Sequence, residues 1–536
     1  MRCVVALGVL LGVGCYRPDL PAELACGPGG LCPSGRACAP DNRCVALADV
    51  HDAGPDADLF EVLSTVPGSG ETGVEPGADI VITLSDPVAP ATVSDVSLVV
   101  SSSSGVIAGV RTLEQGGTRL RFHPSQPLAF ARPHQVALTT ALTDLGGRPL
   151  TPYSFSFTVR DRRWSAPVNL GTSLGQVDVA TSQGMAMAVW WVTNRIQGAL
   201  FDGTRWGVAV DLEPGQPATG TPRVAMDGSN ITVVFTKLAQ GVDSAWAIRR
   251  PTGLPWQAPV LLEQNALSVN QIRVASYGTR VVATWTHGSA PNNAIWAAIF
   301  EADAWRPAVQ VAPGNNAIGL RVVGSADHAL ISWQQDDAGT PVSYAARVVG
   351  SSVGAPVPVR VMAASSTYPC AAIGQEDLVA FGSGASRQIA LGTSTGAGFS
   401  SRLVQTSTGT ATVPWVAADA TRRLVAWTEG GASALEVWLH LGQGGAAATR
   451  MVYQRPGSTG GEAKVAIDGD EIHLFWVEAT TLGNPLVRAS HRSLSGADFG
   501  PPADLAANND YVVAARDGEA FVVSTSGTTV VAFHFE

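Results

Sequence analysis

Lysine is almost missing from this chain of 536 residues: Lys237 and Lys464 are the only two, and every other side-chain cation apart from histidine is arginine. No cluster of five or more Lys/Arg occurs, and the formal net charge is −10. An acidic chain without a basic stripe argues against nucleic acid as a partner and offers no patch for anionic lipid headgroups. Long apolar runs are scarce too, since after residue 14 nothing approaches the ~18 residues a spanning helix needs. There is no C-x-x-C, no H-E-x-x-H and no histidine pair at ligand spacing, so no metal and no cofactor is expected. Charged residues are sparse at 15% against 46% hydrophobic, which at this length lets the chain bury several cores.

What the sequence does have is a repeat. Eight runs, among them MAMAVW, NITVVF, RVVATW and EIHLFW, close on Trp190, Phe235, Trp285, Trp333, Phe381, Trp427, Trp476 and Val523. The intervals are 45, 50, 48, 48, 46, 49 and 47 residues. A period in this range, with β-rich segments and no helical pattern, predicts four-stranded blades of a β-propeller. Each unit reads as an inner strand, a tight turn, the strand bearing the anchor, a variable loop, a third strand, and an outer strand led by an aromatic. The outer-strand signature appears as WSAPVNL at Trp164, WGVAVDL at Trp206, WQAPVLL at Trp256 and WRPAVQV at Trp305. The copy at Trp164 precedes any complete unit and the last unit stops after three strands, so the Trp164 strand is expected to complete it and close the ring. Eight blades are expected, or seven if one weak unit is an insertion.

The repeated tryptophans are expected to pack between sheets rather than stack on sugars. The Asp-Gly pairs at Asp227, Asp468 and Asp517 are expected to be hairpin turns rather than metal ligands. Gly392 to Gly396 fits the G-x-S-x-G pattern, but a strand follows where an esterase elbow requires a helix. The variable loops after the anchor strands are the expected ligand face. Their polar residues include Asn194, Arg195, Asp243, His287, Asp336, Asp337, Arg387, Glu429 and Glu478, differing from blade to blade as a specific ligand would require and as drift would also produce. No catalytic residue is assigned. The propeller resembles the sialidase-type and lectin-type propellers of secreted bacterial proteins in blade pattern, while the S-x-D-x-G-x-x-W box is absent from every blade.

The first 14 residues, one arginine followed by a short apolar stretch, read as a secretory signal. Gly12-Val13-Gly14-Cys15 resembles the lipobox of bacterial lipoproteins, with Leu11 one place earlier than that family's usual leucine. The resemblance implies a lipid on Cys15 and attachment to the outer membrane or cell surface. An ordinary signal peptide cut nearby, or an uncleaved anchor, is the other reading. Residues 15–62 then hold Cys26, Cys32, Cys38 and Cys44 with five residues between neighbours, expected as two disulfides of open pairing, and an Asp/Ala/Pro linker. Cys370 is expected to be a buried free thiol.

Residues 63–160 alternate short β-rich segments with Gly, Pro and Asp turns, as a β-sandwich does. The stretches STVPGSGETGVEPGADIVITLSDPVAPATV and LRFHPSQPLAFARPHQVALTTALTDLGGRPLTPYSFSFTV resemble the SbsA-type bacterial Ig-like family, a spacer and adhesion module. Pro87, Pro124, Leu128, the Asp144-Leu145-Gly146-Gly147 turn, Phe155 and Phe157 carry that likeness. The fold class expected is therefore all-β: a small disulfide-rich segment, an Ig-like sandwich, and a propeller over 161–536. The expected function is a lipid-anchored, non-enzymatic surface protein whose propeller binds a glycan, peptide or partner protein. A polysaccharide hydrolase or lyase using Asp336 or Asp337 with Glu429 as acid and base is the alternative, and a structural envelope component is the third reading.

Overall fold

The computed structural model describes residues 25–26, 36–38, 43–46 and 59–536, apart from 214–217, 221, 240, 264–266, 362–363, 385–387, 397, 406–409, 432–433, 444–445, 470, 481–484, 494–497, 507–509 and 517. Regular structure among these is strand, with only two short 3-10 turns. The chain divides into two compact units, 1–162 and 163–536. In the first, Arg36–Cys38 pairs with Cys44–Ala46, which sets Cys38 opposite Cys44. Cys26 and Cys44 each take part in a disulfide; Cys15 and Cys32 lie outside the described residues, so the pairing and the two-bridge framework stay an expectation.

Residues 59–162 contain two sheets, one of five strands and one of four. Alternate residues of Ile80–Leu84, Arg119–Pro124, Pro133–Leu138 and Tyr153–Val159 point inward. Ile80, Ile82, Leu120, Phe122, Val136, Leu138, Phe155 and Phe157 are buried in one core, and Leu128 joins them. The period-two pattern of a sheet with one covered face produces this selection. Asp144 organises its turn: its carboxylate accepts from the Arg148 backbone N–H at 2.8 Å and from the Arg148 guanidinium at 2.6 Å, while Gly147 adopts φ +81°.

The second unit holds eight separate antiparallel sheets of four or five strands. We number them as blades 1 to 8. Their innermost strands are Val177–Ser182, Arg223–Asp227, Val269–Tyr277, Ile318–Gly324, Ser366–Ile373, Trp415–Ala418, Ser458–Asp468 and Tyr511–Arg516. Each innermost strand packs against the next, and that of blade 8 packs against that of blade 1, so the ring closes by side-chain packing. The approach is close enough that a Cβ on Gly324 would lie 1.9 Å from the Ser276 carbonyl oxygen. Blade 8 is completed by the strand Val168–Thr172, antiparallel to Thr529–His534. Backbone bonds between Arg163 and Glu536, and between Ser165 and His534, extend that closure. Eight blades and this completing strand agree with the repeat pattern.

Each seam between blades holds one apolar core, and seven anchors sit in them as expected. Trp190, Phe235, Trp285, Trp333, Phe381, Trp427 and Trp476 are fully buried and face the preceding blade. Val523 corrects the eighth. It packs with Trp190 toward blade 1, so the register of blade 8 is displaced by one and buried Ser524 takes the anchor position, its hydroxyl donating to the Asp510 carbonyl at 2.8 Å. The displacement follows from period two: only alternate residues can face the seam. The turn expected at Asp227 is also adjusted. Asp227 pairs with Asn230, leaving Gly228 at the first loop position with φ +54°. Ser394 ends a strand and the next begins at Ser400, so no helix follows the G-x-S-x-G pattern.

Polar side chains tie the seams as well. The residue two beyond an anchor shares its face and enters the same seam. In blade 2 this is Lys237, whose ammonium donates to Glu213 of blade 1 at 3.0 Å, both side chains less than a tenth exposed. The chain's other lysine, Lys464, is buried too. Lys237→Met should destabilise the propeller by about 3–5 kcal/mol, because the buried Glu213 carboxylate loses its ammonium partner, whereas Glu213→Leu with Lys237→Met should recover most of that loss. Denaturant titration of the full chain checks this. A double variant no more stable than the single one would mean that the pair is not what holds the seam.

Candidate functional site

The innermost strands bring one residue of each blade to the axis, and its position is fixed by register. It lies opposite the residue just before the anchor: Asp178 opposite Val189, Arg223 opposite Val234, Arg273 opposite Thr284, Arg321 opposite Ser332, Cys370 opposite Ala380, Trp415 opposite Ala426 and Lys464 opposite Phe475. With the displaced register of blade 8, Val512 opposite Val523 completes the set. All eight line one cavity of about 440 Å³, together with Gln176, Glu462, Asp510 and Tyr511. In blades 3, 4 and 5 a register irregularity stands immediately before this residue, and in blade 7 one ends at Ala463, the residue ahead of Lys464. Bulges of this kind re-aim the side chains that follow them. Two residues before the axial position, Gln271 has φ +45°, Gly319 +66° and Tyr368 +52°. Glycine adopts that backbone freely; glutamine and tyrosine are strained there by about 1–3 kcal/mol each, a pattern that collects at functional sites.

The chemistry of the cavity is cationic. Arg223 donates to Gln176 Oε1 at 2.9 Å, and Arg273 to the Ile272 carbonyl at 2.8 Å. Among the described residues neither Arg273 nor Arg321 forms an ion pair with a carboxylate. Arg321 lies over the Trp415 ring at 5.3 Å; Lys464 lies 5.2 Å from the same ring and 4.1 Å from that of Tyr511. The Lys464 ammonium also donates to the Tyr511 carbonyl, and Glu462 stands 3.8 Å away. Burial, reinforced by the neighbouring Arg223 and Arg321, pulls the Arg273 guanidinium well below its ordinary value. Burial lowers Lys464, with Glu462 opposing, and raises the Asp178 carboxyl against the pull of Arg223. The Cys370 thiol is also raised by burial. Four cations thus meet three carboxylates, those of Asp178, Glu462 and Asp510, in a space where charge is poorly solvated.

None of the loop candidates lines this cavity. Asn194 sits in an exposed turn with φ +61° and Arg195 is exposed and pairs with Asp211 at 3.0 Å. Asp243 is half-buried at the start of its strand. Asp336 accepts from Asn316 at 3.2 Å, and Asp337 lies 3.5 Å from the Tyr344 hydroxyl. Arg387 lies outside the described residues. Three expectations are corrected: His287, Glu429 and Glu478 are buried, not displayed on a loop face. Each stands two residues beyond its anchor and therefore points into the seam. His287 meets Glu263 of the preceding blade at 3.4 Å; Glu429 accepts from Trp427 Nε1 at 2.8 Å; Glu478 accepts from Tyr453 at 2.9 Å and from Arg455 at 2.6 Å. Asp336, Asp337 and Glu429 therefore share neither the axial cavity nor a pocket between blades 5 and 6 around Glu376 and Asp419. No group of metal-ligating side chains occurs among the described residues.

With this geometry in view, comparison with known proteins adds the following. Residues 56–159 match the family described as bacterial Ig-like domain, Big_5. No curated protein matches the chain. Solved structures it is similar to include a polysaccharide lyase, an ulvan lyase bound to -[GlcA(1-4)Rha3S]- (10% identity, 63% of this chain and 98% of that one, TM-score 0.40). The β-propeller domain of the Trilobed protease from Pyrococcus furiosus is another (10% identity, 63% and 99%, TM-score 0.39). An α-L-arabinofuranosidase from Fusarium graminearum is a third (9% identity, 62% and 98%, TM-score 0.33). At these scores the likenesses carry no argument about activity. The class reached is an all-β chain with a bacterial Ig-like domain ahead of an eight-bladed propeller.

One seam pair gives a pH signature. Burial holds the Glu263 carboxyl up at about 7, so the folded protein binds this proton more tightly than the unfolded chain. Its contribution is present below the ordinary glutamate range and is lost as pH rises through about 7. His287 is lowered by burial and acts in the opposite sense, losing its contribution as pH falls. Glu263→Gln should therefore melt higher than the parent at about pH 8 and give up that advantage by about pH 5. Thermal melts across this range check it, and a difference that does not change with pH would sink the assignment.

Proposed function

We propose that the chain is an exported, lipid-anchored surface protein whose propeller binds its ligand at the axis and performs no chemistry on it. The observation that carries this reading is the contrast between repeated and unrepeated positions. Seven of eight anchors are aromatic, because every seam has the same packing problem. The axial position, at the same register, reads Asp, Arg, Arg, Arg, Cys, Trp, Lys, Val. Packing alone gives no reason to place desolvated arginines there, while a ligand supplies one. The strained residues ahead of the axial positions support the same conclusion, because they aim these side chains at a backbone cost. A cavity of about 440 Å³ is within the range of small-molecule sites. Export and anchoring rest on the first 14 residues and Cys15. The Ig-like domain is read as the spacer that carries the propeller, and glycan or partner protein is the ligand class.

A glycan array probed with the mature chain, followed by a reducing-end release assay on each bound glycan, tests this reading. Binding without release is the expected result. New reducing ends would replace it with a hydrolase or lyase, and silence on the array would remove glycan as the ligand.

A further inference from the structure

The axial cations specify more than a binding site. We infer that the cavity receives an anionic sugar unit, a uronate or a sulfated sugar, with Arg273 and Arg321 as the direct donors to its acidic group and Trp415 as the wall beside its ring. This rests on the reading of the axis as the binding site. Three observations point to it. First, Arg223, Arg273 and Arg321 occupy the axial position of three consecutive blades, so their guanidinium groups converge from one side. Arg223 is engaged by Gln176, whereas among the described residues Arg273 and Arg321 have no carboxylate within ion-pair distance, Asp178 acting on Arg273 only across a longer gap. A guanidinium fork held in a poorly solvated space is complementary to carboxylate and sulfate oxygens.

Second, the local sign of charge is opposite to that of the chain. The net charge is −10, yet the cavity holds Arg223, Arg273, Arg321 and Lys464 against Asp178, Glu462 and Asp510. An incoming anion would restore balance, and a neutral ligand would leave the cations unsatisfied. Third, the cavity is much larger than a bare ion requires and the half-buried Trp415 stands in its wall, with Tyr511 buried behind Lys464. Aromatic faces accept the apolar face of a sugar ring, and here Trp415 stands next to the guanidinium and ammonium groups that would take the charge. A glycan is favoured over an acidic peptide because the described wall offers a ring-sized aromatic face at Trp415 and charge together.

The test is a titration of the full chain by calorimetry with oligosaccharides of matched length, one uronate-containing, one sulfated and one neutral, alongside an Asp/Glu-rich peptide. One or both acidic sugars should bind, and the neutral sugar and peptide should not. Arg273→Gln and Arg321→Gln should each weaken binding by about tenfold or more, the loss expected for a charge-assisted hydrogen bond. Arg321→Lys, which keeps the charge and loses the fork, should fall between. Arg306→Gln, exposed and paired with Glu301, should leave binding unchanged, and circular dichroism reports whether the axial variants fold. Neutral sugar binding as tightly as the acidic ones, with loss in Arg321→Gln, would overturn the acidic-sugar inference and keep the axis as the site. Sugar binding indifferent to both arginine variants would overturn the axis itself. Binding of the peptide alone would overturn the glycan class, and no binding of any probe would overturn both readings.

Discussion

The propeller depends on one packing requirement: each blade has two apolar faces and must bury both. A single four-stranded sheet cannot do this alone, and a row of sheets would leave its two ends wet. The ring answers the requirement only when its last blade is complete, and here the strand Val168–Thr172 from the far end of the unit completes it. Trp164 adds its ring to the same seam, 5.2 Å from Phe535 and 5.6 Å from Phe475. Once the ring closes, the innermost strands must converge, and whatever side chains they carry on their inward edge are forced into a shared space. Burying the seams and concentrating chemistry at the axis are one geometric event.

Much of the architecture could be read from the sequence because it repeats. Trp285 and Trp333 answer the same local problem in neighbouring blades, so the same residue recurs about every 48 residues and the period stands out. The Ig-like segment was legible through the alternation that places Ile80, Ile82, Phe155 and Phe157 inside. Val523 was misplaced by one because an aliphatic run, AFVVS, carries no mark of which alternate residues face which seam, and only the pairing with Tyr511–Arg516 decides it. The axial site was missed for the reason that makes it interesting. Its residues do not repeat in type, so nothing at the axis stands out against the period of the anchors. A signal did exist: each axial residue pairs with the one before the anchor, so the anchors themselves could have been used to count back across the hairpin.

The misreading of His287, Glu429 and Glu478 has a physical lesson of its own. A polar residue near the end of a strand looks like loop chemistry, yet two residues beyond a buried tryptophan it keeps the tryptophan's side of the sheet. His287 and Glu478 serve the seams, where Glu263 and Tyr453 of the preceding blades meet them, and Glu429 holds the Trp427 indole N–H. Several ion pairs join neighbouring blades, among them Lys237 with Glu213, His287 with Glu263 and Arg347 with Asp377, while Arg273 and Arg321 stand at the axis without a carboxylate in ion-pair distance among the described residues.

That distribution gives the two lysines a further use. Lys237 sits in the seam between blades 1 and 2, and Lys464 at the axis between blades 7 and 8, both buried. Amine-directed reagents therefore meet no exposed lysine on the native fold, and attachment through an α-amino group would orient every molecule alike. Cleavage on the carboxyl side of lysine needs a blade to open first. A lysine-specific protease would then report ring opening on either side of the arc formed by blades 8 and 1, which holds the closing strand, Lys237 marking one side and Lys464 the other.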